Sequence, residues 1–112
     1  MQRVYITLQG DNKIAIHNLN SETGKITHQE DISTPGGPAP FAISPDNTRA
    51  YIGLRDDNVM ASFDIDESTG ALKPTGKIGL ESDPCYVSVD NTGRHLLSAY
   101  YGAGHIAIHP ID

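Results

Sequence analysis

The chain has 112 residues, a formal net charge of -6 at pH 7 and a single cysteine. The acidic balance argues against nucleic-acid binding because an anionic surface repels phosphate groups, and one cysteine excludes an internal disulfide. No apolar run is long enough to cross a bilayer and no secretory signal opens the chain, so we expect a cytoplasmic protein without a membrane partner.

Short runs rich in β-branched and aromatic residues alternate with turns from one end of the chain to the other,. No run combines a helical period with freedom from Gly and Pro, so we expect no helix. The stretch 33–40, STPGGPAP, is too rich in Pro and Gly for a strand and is predicted to be a crossing,. The predicted strands are 4–8, 13–19, 25–32, 41–44, 50–54, 59–65, 72–78, 85–89, 96–100 and 105–109.

These strands repeat along the chain. A shift of 46 residues relates the first copy to the second, and a shift of 44 residues, with two single insertions, relates the second copy to the third. Repeats of about 45 residues that contain only strands are typical of β-propeller blades. The matched pairs include Tyr5 with Tyr51, Thr23 with Thr69, Pro40 with Pro84, Asp46 with Asp90, Tyr51 with Leu96, and Met60 with Ile106.

The repeat predicts an all-β chain of about two and a half blades of a β-propeller, whereas a closed propeller needs at least four. Residues 1–39 are predicted to lack the inner strand of a blade, 40–83 to form a complete four-stranded blade, and 84–112 to lack the outer strand. We therefore expect the isolated chain to self-associate or to need the rest of a longer parent. The apolar side chains predicted to be exposed on the end blades are Ile14, Ile16, Leu96 and Ile106,.

No metal, cofactor or catalytic motif is recognisable, so we expect neither a metal nor a cofactor. His17 and His109 occupy matching places in two copies of Ile-Ala-Ile-His, which favours repeat ancestry over a ligand site. Cys85 is expected to be a small buried apolar residue rather than a reactive thiol. Asp46 and Asp90 are each predicted to cap a tight turn after an inner strand.

In a propeller, the loops between second and third strands converge with the blade crossings at one end of the molecule. In those loops, Arg55 could hold an anion through two parallel hydrogen bonds, and Tyr100 and Tyr101 could bind through their hydroxyl groups. The alternatives are an exposed ion pair of Arg55 with Asp56 or Asp57, and packing of the tyrosines at a blade junction. The segments concerned are 9–12, 55–58, 100–105, 33–40 and 81–84.

Four segments together resemble the N-terminal part of the β-propeller lactonase family. They are VYIT at 4–7, SPDNTRAYIGLR at 44–55, the Asp-x-x-Thr-Gly-Ala-Leu turn at 66–72 and SAYYGAGHIAI at 98–108. The family includes bacterial 6-phosphogluconolactonases and fungal enzymes that lactonise carboxymuconate.

The resemblance implies a seven-bladed parent whose small-molecule partner is a sugar lactone, which it hydrolyses. It aligns Arg55 with a family arginine, and a loop one residue longer than in some relatives leaves open whether Tyr100 or Tyr101 aligns with the family tyrosine. It also implies that the acid and base residues lie beyond this chain, so no catalytic residue is assigned here. The alternative is a non-catalytic propeller module that binds a protein or small ligand.

Overall fold

The structure is a computed structural model that describes residues 2–111, within which ten β-strands form three antiparallel sheets. All ten predicted strands are present, with bounds that differ by up to a few residues. The strands are β1 (Gln2–Leu8), β2 (Lys13–Leu19), β3 (Ile26–Ser33), β4 (Pro38–Ile43), β5 (Arg49–Leu54), β6 (Val59–Ile65), β7 (Leu72–Gly79), β8 (Tyr86–Val89), β9 (His95–Tyr100) and β10 (His105–Pro110).

The first sheet has the order β1-β2-β3, the middle sheet β4-β5-β6-β7 and the third sheet β8-β9-β10. The polar strands β3 and β7 lie at sheet edges and are mostly exposed, as expected for the rim of a blade. The all-β prediction is therefore confirmed.

Two local predictions were wrong, namely that the chain contains no helical segment and that the crossing extends over residues 33–40. A short 3-10 turn spans Gln9–Asp11, because Asn12 adopts a left-handed conformation and donates its backbone N–H to the Gln9 carbonyl,. Strand β4 begins at Pro38, inside the predicted crossing, because proline is tolerated where a strand starts and no ladder donor is needed,. No helix among residues 2–111 is long and apolar enough to cross a membrane.

The strand register shows one period of 46 residues through all three sheets. Even the irregularity between Ile16 and His17 in β2 recurs between Ser62 and Phe63 in β6. The predicted shift of 44 residues is therefore wrong for the inner strand and turn of the third sheet, whereas the predicted match of Met60 with Ile106 agrees with the period of 46. Pairs that share one place in successive sheets are Tyr5 with Ile16, Tyr51 with Ser62, and Leu97 with Ile108.

The turns after β4 and β8 show why the shorter shift was misleading. Ser44 Oγ accepts a hydrogen bond from the Arg49 N–H at 3.0 Å, and Asp90 Oδ1 accepts one from the His95 N–H at 3.1 Å. Asp90 thus occupies the place of Ser44, although its neighbours in sequence resemble those of Asp46. Different residue types can make the same hydrogen bond, whereas the sequence repeat was aligned by matching identical residue types, which paired Asp46 with Asp90.

The middle sheet is packed on both faces. Gly53 on β5 allows β4 and the crossing before β8 to approach closely. A Cβ atom at Gly53 would lie 2.6 Å from the Cγ atoms of both Pro40 and Pro84,. Towards the first sheet the buried cluster is Ile14, Ala50, Ile52, Leu54, Ala61, Phe63 and Leu72. Towards the third sheet it is Tyr51, Met60, Val87 and Leu96.

Three of the four residues predicted to be exposed are buried. Ile14, Ile16 and Leu96 point towards the middle sheet, while Ile106 is 70% exposed as predicted. Leu96 had been matched one residue out of register, and a one-residue slip moves a side chain to the opposite face. For Ile14 and Ile16, the alternation of side chains along a strand predicts that both lie on one face of the sheet, but it does not predict whether a neighbouring sheet covers that face.

Candidate functional site

The loops after β1, β5 and β9 and the crossings before β4 and β8 lie at one end of the sheets, here called the loop end. The crossing at 33–37 is hydrogen-bonded to two of these loops. Asn12 accepts the Thr34 N–H at 2.8 Å through its carbonyl and the Gly37 N–H at 3.0 Å through its side chain. The Gly37 carbonyl accepts the Arg55 N–H at 2.9 Å. This network sets the position from which Arg55 projects.

Arg55 pairs with a residue of the following crossing. Its Nη2 lies 2.6 Å from Asp83 Oδ2 and 3.8 Å from Cys85 Sγ, and a third of the side chain is exposed. The expected ion pair with Asp56 or Asp57 is wrong, because the guanidinium extends across to the next blade crossing. The hydrogen bond from Arg55 holds the pKa of Asp83 below its usual range, so this carboxylate is charged near neutral pH,.

The Nε atom of Arg55 is buried and has no hydrogen-bond partner. A buried donor without a partner carries a desolvation cost of about 1 to 3 kcal/mol. The neighbouring Asp56 carboxylate accepts a hydrogen bond from Gln9 Nε2 at 3.1 Å and none from this Nε. Arg55 therefore retains an unused donor beside the one that Asp83 occupies.

Tyr100 lies inside the structure rather than at the surface of the loop end. It is 3% exposed, and its ring stacks on His105 with 4.6 Å between the ring centroids. Its hydroxyl oxygen accepts a hydrogen bond from Ser98 Oγ at 2.8 Å, and Ser98 Oγ also lies 3.0 Å from His109 Nε2. These contacts correspond to the packing alternative for Tyr100.

Tyr101 has the opposite environment and is 91% exposed. By the period of 46 residues it occupies the place of Arg55 in the middle sheet and of Gln9 in the first sheet. It borders a shallow depression of about 350 Å³, which Cys85 also lines. Arg55 is not among the residues that line this depression, but its Nη2 lies 3.8 Å from the Sγ of the lining residue Cys85. The depression is lined by Cys85, Ala99, Tyr100, Tyr101, Gly104, His105 and Ile106.

The family model for "Lactonase, 7-bladed beta-propeller" matches residues 3–112. The chain belongs to this family of β-propeller lactonases. Both the propeller fold and the resemblance seen in the sequence are therefore confirmed.

The relatives are longer than this lactonase-family chain. It is 34% identical to a 6-phosphogluconolactonase of Pectobacterium atrosepticum and 33% identical to one of Yersinia pestis, over 99% of this chain and 33% of each relative. The chain thus spans about a third of the length of the curated relatives it matches.

Solved structures show the same fold at low identity. The periplasmic gluconolactonase PpgL of Pseudomonas aeruginosa superposes with a TM-score of 0.82 at 20% identity, over 96% of this chain and 32% of that one. The β-propeller domain of Cps50 (Swd1) from Myceliophteria thermophila superposes with a TM-score of 0.72 at 9% identity, over 98% of this chain and 35% of that one.

Sequence reasoning missed three side chains at the loop end of this lactonase-family chain. Asp83 anchors Arg55, His105 stacks on Tyr100 with its Nε2 3.6 Å from Glu81 Oε2, and Cys85 is exposed rather than buried. Cys85 lies just before β8, where its N–H donates to the Ala99 carbonyl at 2.8 Å and its side chain stays outside the core. The crossing at 81–84 was a candidate segment and contains Asp83, but local sequence carries no signal for an ion pair between residues of two blades.

The loop end is acidic apart from Arg55. The carboxylates of Asp56, Asp57, Glu81 and Asp83 lie in its loops and crossings. Among residues 2–111 there is no group of three or more side chains suited to hold a metal ion. The arrangement can bind through one oriented guanidinium and one exposed phenol, and an anionic ligand would require further cations to offset the carboxylates.

Proposed function

We propose that this chain is the N-terminal part of a lactonase that hydrolyses 6-phosphogluconolactone to 6-phosphogluconate in the cytoplasm, as part of the pentose phosphate pathway. Membership of the lactonase family and the names of the curated relatives support the proposal. In the reaction, water adds to the ring carbonyl, the ring C–O bond breaks, and the ring oxygen takes up a proton. The product is a carboxylic acid with a new hydroxyl group.

Arg55 is proposed to bind the substrate, and this role rests on its place at the loop end. Asp83 holds one guanidinium nitrogen at 2.6 Å, which orients the donors that remain,. Such donors suit a phosphate or the oxygen that becomes anionic when water attacks the carbonyl. No catalytic acid or base is assigned to this chain, and we expect these groups elsewhere in the parent protein.

Tyr101 and Tyr100 are proposed to share the other substrate contacts in different ways. Tyr101 is exposed at the position of Arg55, so its hydroxyl can reach a sugar hydroxyl directly,. Tyr100 has its hydroxyl bound by Ser98 and its ring against His105, so it would act by positioning the loop that carries Tyr101.

The test is Arg55→Ala in the whole parent protein assayed with 6-phosphogluconolactone. Removing a hydrogen bond to a charged group costs about 1.5 to 3 kcal/mol, so we expect kcat/KM to fall by roughly 10- to 150-fold with little loss of stability. Arg94→Ala is the matched control, because Arg94 follows the turn at the opposite end of the third sheet. Kinetic constants unchanged by Arg55→Ala would assign Arg55 to the loop surface alone.

The second candidate is a non-catalytic propeller module. The excess of carboxylates around Arg55 favours it, because these groups would repel a phosphorylated substrate,. The two functions are separated by the rate of lactone opening in the parent protein. A rate no faster than spontaneous hydrolysis would exclude the lactonase function and favour the non-catalytic binding module.

A further inference from the structure

The guanidinium of Arg55 and the carboxylate of Asp83 form one polar pair at the loop end. Arg55 Nη2 donates to Asp83 Oδ2 at 2.6 Å, and the two side chains are 33% and 42% exposed. Arg55 follows β5 and Asp83 precedes β8, so both partners belong to sheets that the structure describes at this junction. The pair has no net charge, so it attracts an anion less strongly than an unpaired guanidinium would.

Both members of the pair keep unused hydrogen-bonding capacity. Among residues 2–111 the guanidinium donates only to Asp83 and Cys85, and it carries more N–H groups than these contacts and the buried Nε account for,. Asp83 Oδ1 accepts a hydrogen bond from Ser82 Oγ at 3.2 Å, and a carboxylate can accept further ones,. Unused donors and unused acceptors therefore lie side by side.

A hydroxyl group is the ligand that suits this combination. Its oxygen accepts a hydrogen bond and its proton donates one, so it can bind a guanidinium and a carboxylate at the same time. A phosphate group near neutral pH is anionic and acts mainly as an acceptor, so the carboxylate of Asp83 would repel it. The ring of a sugar lactone carries several hydroxyl groups and is itself uncharged.

The first sheet repeats this arrangement with an uncharged donor. Gln9 occupies the place of Arg55 in the first sheet, and its Nε2 donates to a carboxylate of the next sheet, that of Asp56, at 3.1 Å. Tyr101 occupies the same place in the third sheet and is also uncharged. Arg55 is therefore the one cation at these three equivalent positions, and Asp83 balances its charge.

We propose that Arg55 and Asp83 together bind a hydroxyl group on the sugar ring of the substrate, and that the phosphate is bound elsewhere in the parent protein. Arg55 donates to the hydroxyl oxygen, and the hydroxyl proton is donated to Asp83. The inference rests on the proposed function for the identity of the lactone and adds which part of it this chain contacts. The carboxylates at the loop end are then compatible with a phosphorylated substrate.

The test is calorimetric titration of the whole parent protein with 1,5-anhydroglucitol and with its 6-phosphate. Both compounds lack the lactone carbonyl, so binding is measured whether or not the protein opens lactones. We expect saturable binding of both. Asp83→Asn should weaken each about tenfold, as expected for the loss of a hydrogen bond to a charged group, and the ratio of the two dissociation constants should change by less than about twofold.

Glu81→Gln is the charge-matched control for Asp83→Asn. Glu81 lies in the same crossing, its side chain is 87% exposed, and its carboxylate lies 3.6 Å from His105 Nε2. We expect Glu81→Gln to leave the binding of 1,5-anhydroglucitol unchanged. Neither substitution should lower the melting temperature appreciably, because both carboxylates are at the surface.

Four results would overturn the proposal. Tighter binding of the 6-phosphate alone in Asp83→Asn would mean that Arg55 binds the phosphate. Equal weakening by Glu81→Gln and Asp83→Asn would mean that the carboxylates act only through their general field. Failure of 1,5-anhydroglucitol to bind, or binding that Asp83→Asn does not change, would exclude the hydroxyl contact.

Failure of the proposed function would look different. A parent protein that binds both compounds through Asp83, yet opens 6-phosphogluconolactone no faster than the spontaneous reaction, would exclude the lactonase function and keep the hydroxyl-binding pair. A parent protein that opens the lactone while Asp83→Asn leaves both dissociation constants unchanged would keep the lactonase function and exclude the pair.

Discussion

The two interfaces of the middle sheet differ in how they are closed. Towards the first sheet, a buried cluster around Ile14 and Ile52 is bordered by Tyr5, which stacks on Phe41 at 5.2 Å between centroids and binds the turn at 66–70. Towards the third sheet, the cluster of Tyr51, Met60, Val87 and Leu96 is bordered by a cavity of about 450 Å³. At this edge, side chains of the first sheet close the first interface by donating hydrogen bonds to backbone carbonyls of the turn, whereas a cavity borders the second interface.

The difference shows that the position of a residue in the repeat does not determine its contribution to stability. Repeat arrays gain much of their stability from contacts between neighbours. The same position therefore contributes strongly in one sheet and little in another, depending on whether a neighbouring sheet covers it. Ile14 and Ile106 are such a pair, since both occupy the second position of the third strand of their blades.

The largest expected effect comes from truncating these two isoleucines. Ile14 is 0% exposed and Ile106 is 70% exposed. We expect Ile14→Ala to lower the free energy of unfolding by about 2 to 5 kcal/mol, because it leaves a cavity in the core. Ile106→Ala should change it by less than about 0.5 kcal/mol. Urea denaturation of both variants measures this difference, and equal losses would show that Ile106 is covered in solution.

Sequence reasoning predicted the strands and the repeat but not the register of the third sheet. Alternation of side chains and turn residues is local, so β5 and β6 were read correctly. The match of Asp46 with Asp90 followed identical letters, whereas the folded chain preserves the hydrogen bond that Ser44 and Asp90 each make across the turn. A register set by backbone pairing between strands cannot be read from a turn sequence alone.

For the candidate site, the sequence indicated the correct loops but not the partners. Arg55 was predicted to lie at the loop end and does, yet its ion pair is with Asp83, which is 28 residues away in sequence. The sequence left open whether Tyr100 or Tyr101 aligns with the family tyrosine, because the loop is one residue longer than in some relatives. In a strand, neighbouring residues point to opposite sides, and the end of β9 at Tyr100 separates a buried ring from an exposed one,.

The next expected effect is on association, which tests what the uncovered face of the third sheet does. Its apolar side chains point away from the middle sheet, and a contiguous exposed patch promotes association. We expect the isolated chain to scatter light as a species larger than 12.1 kDa. Ile106→Ser should weaken this association about tenfold. The exposed members of the patch are Tyr86, Leu97, Ile106 and Ile108.

Glu22→Ser is the control for this measurement, since Glu22 lies in an exposed turn of the first sheet. A monodisperse species of 12.1 kDa with a cooperative unfolding transition would contradict the expectation. It would mean that the two interfaces of the middle sheet suffice to keep the chain folded and monomeric.

The smallest expected effect concerns the turns after the inner strands, where Asp46 and Asp90 cap their turns as predicted. The Ser44 and Thr48 hydroxyls lower the pKa of Asp46 to about 2, and the Thr92 hydroxyl with the His95 and Arg94 N–H groups lowers that of Asp90 to about 2. Both caps use bonds within one turn. The two residues should therefore behave alike, although one belongs to the doubly covered middle sheet and the other to the third sheet.

A carboxylate whose pKa is lower in the folded state stabilises the fold above its unfolded pKa, and this stability is lost as the pH falls through the folded value. Here the unfolded value is 3.8 and the folded value about 2. Between about pH 4 and pH 2 we expect the urea midpoint of the unaltered chain to fall more steeply than that of Asp46→Asn or Asp90→Asn. Asp11→Asn, which removes one charge from an exposed turn, should leave the steep fall in place. If only one of the two caps flattened the profile, the stability of the turns would depend on the neighbouring sheet, and the contrast between the two interfaces would extend to this local level.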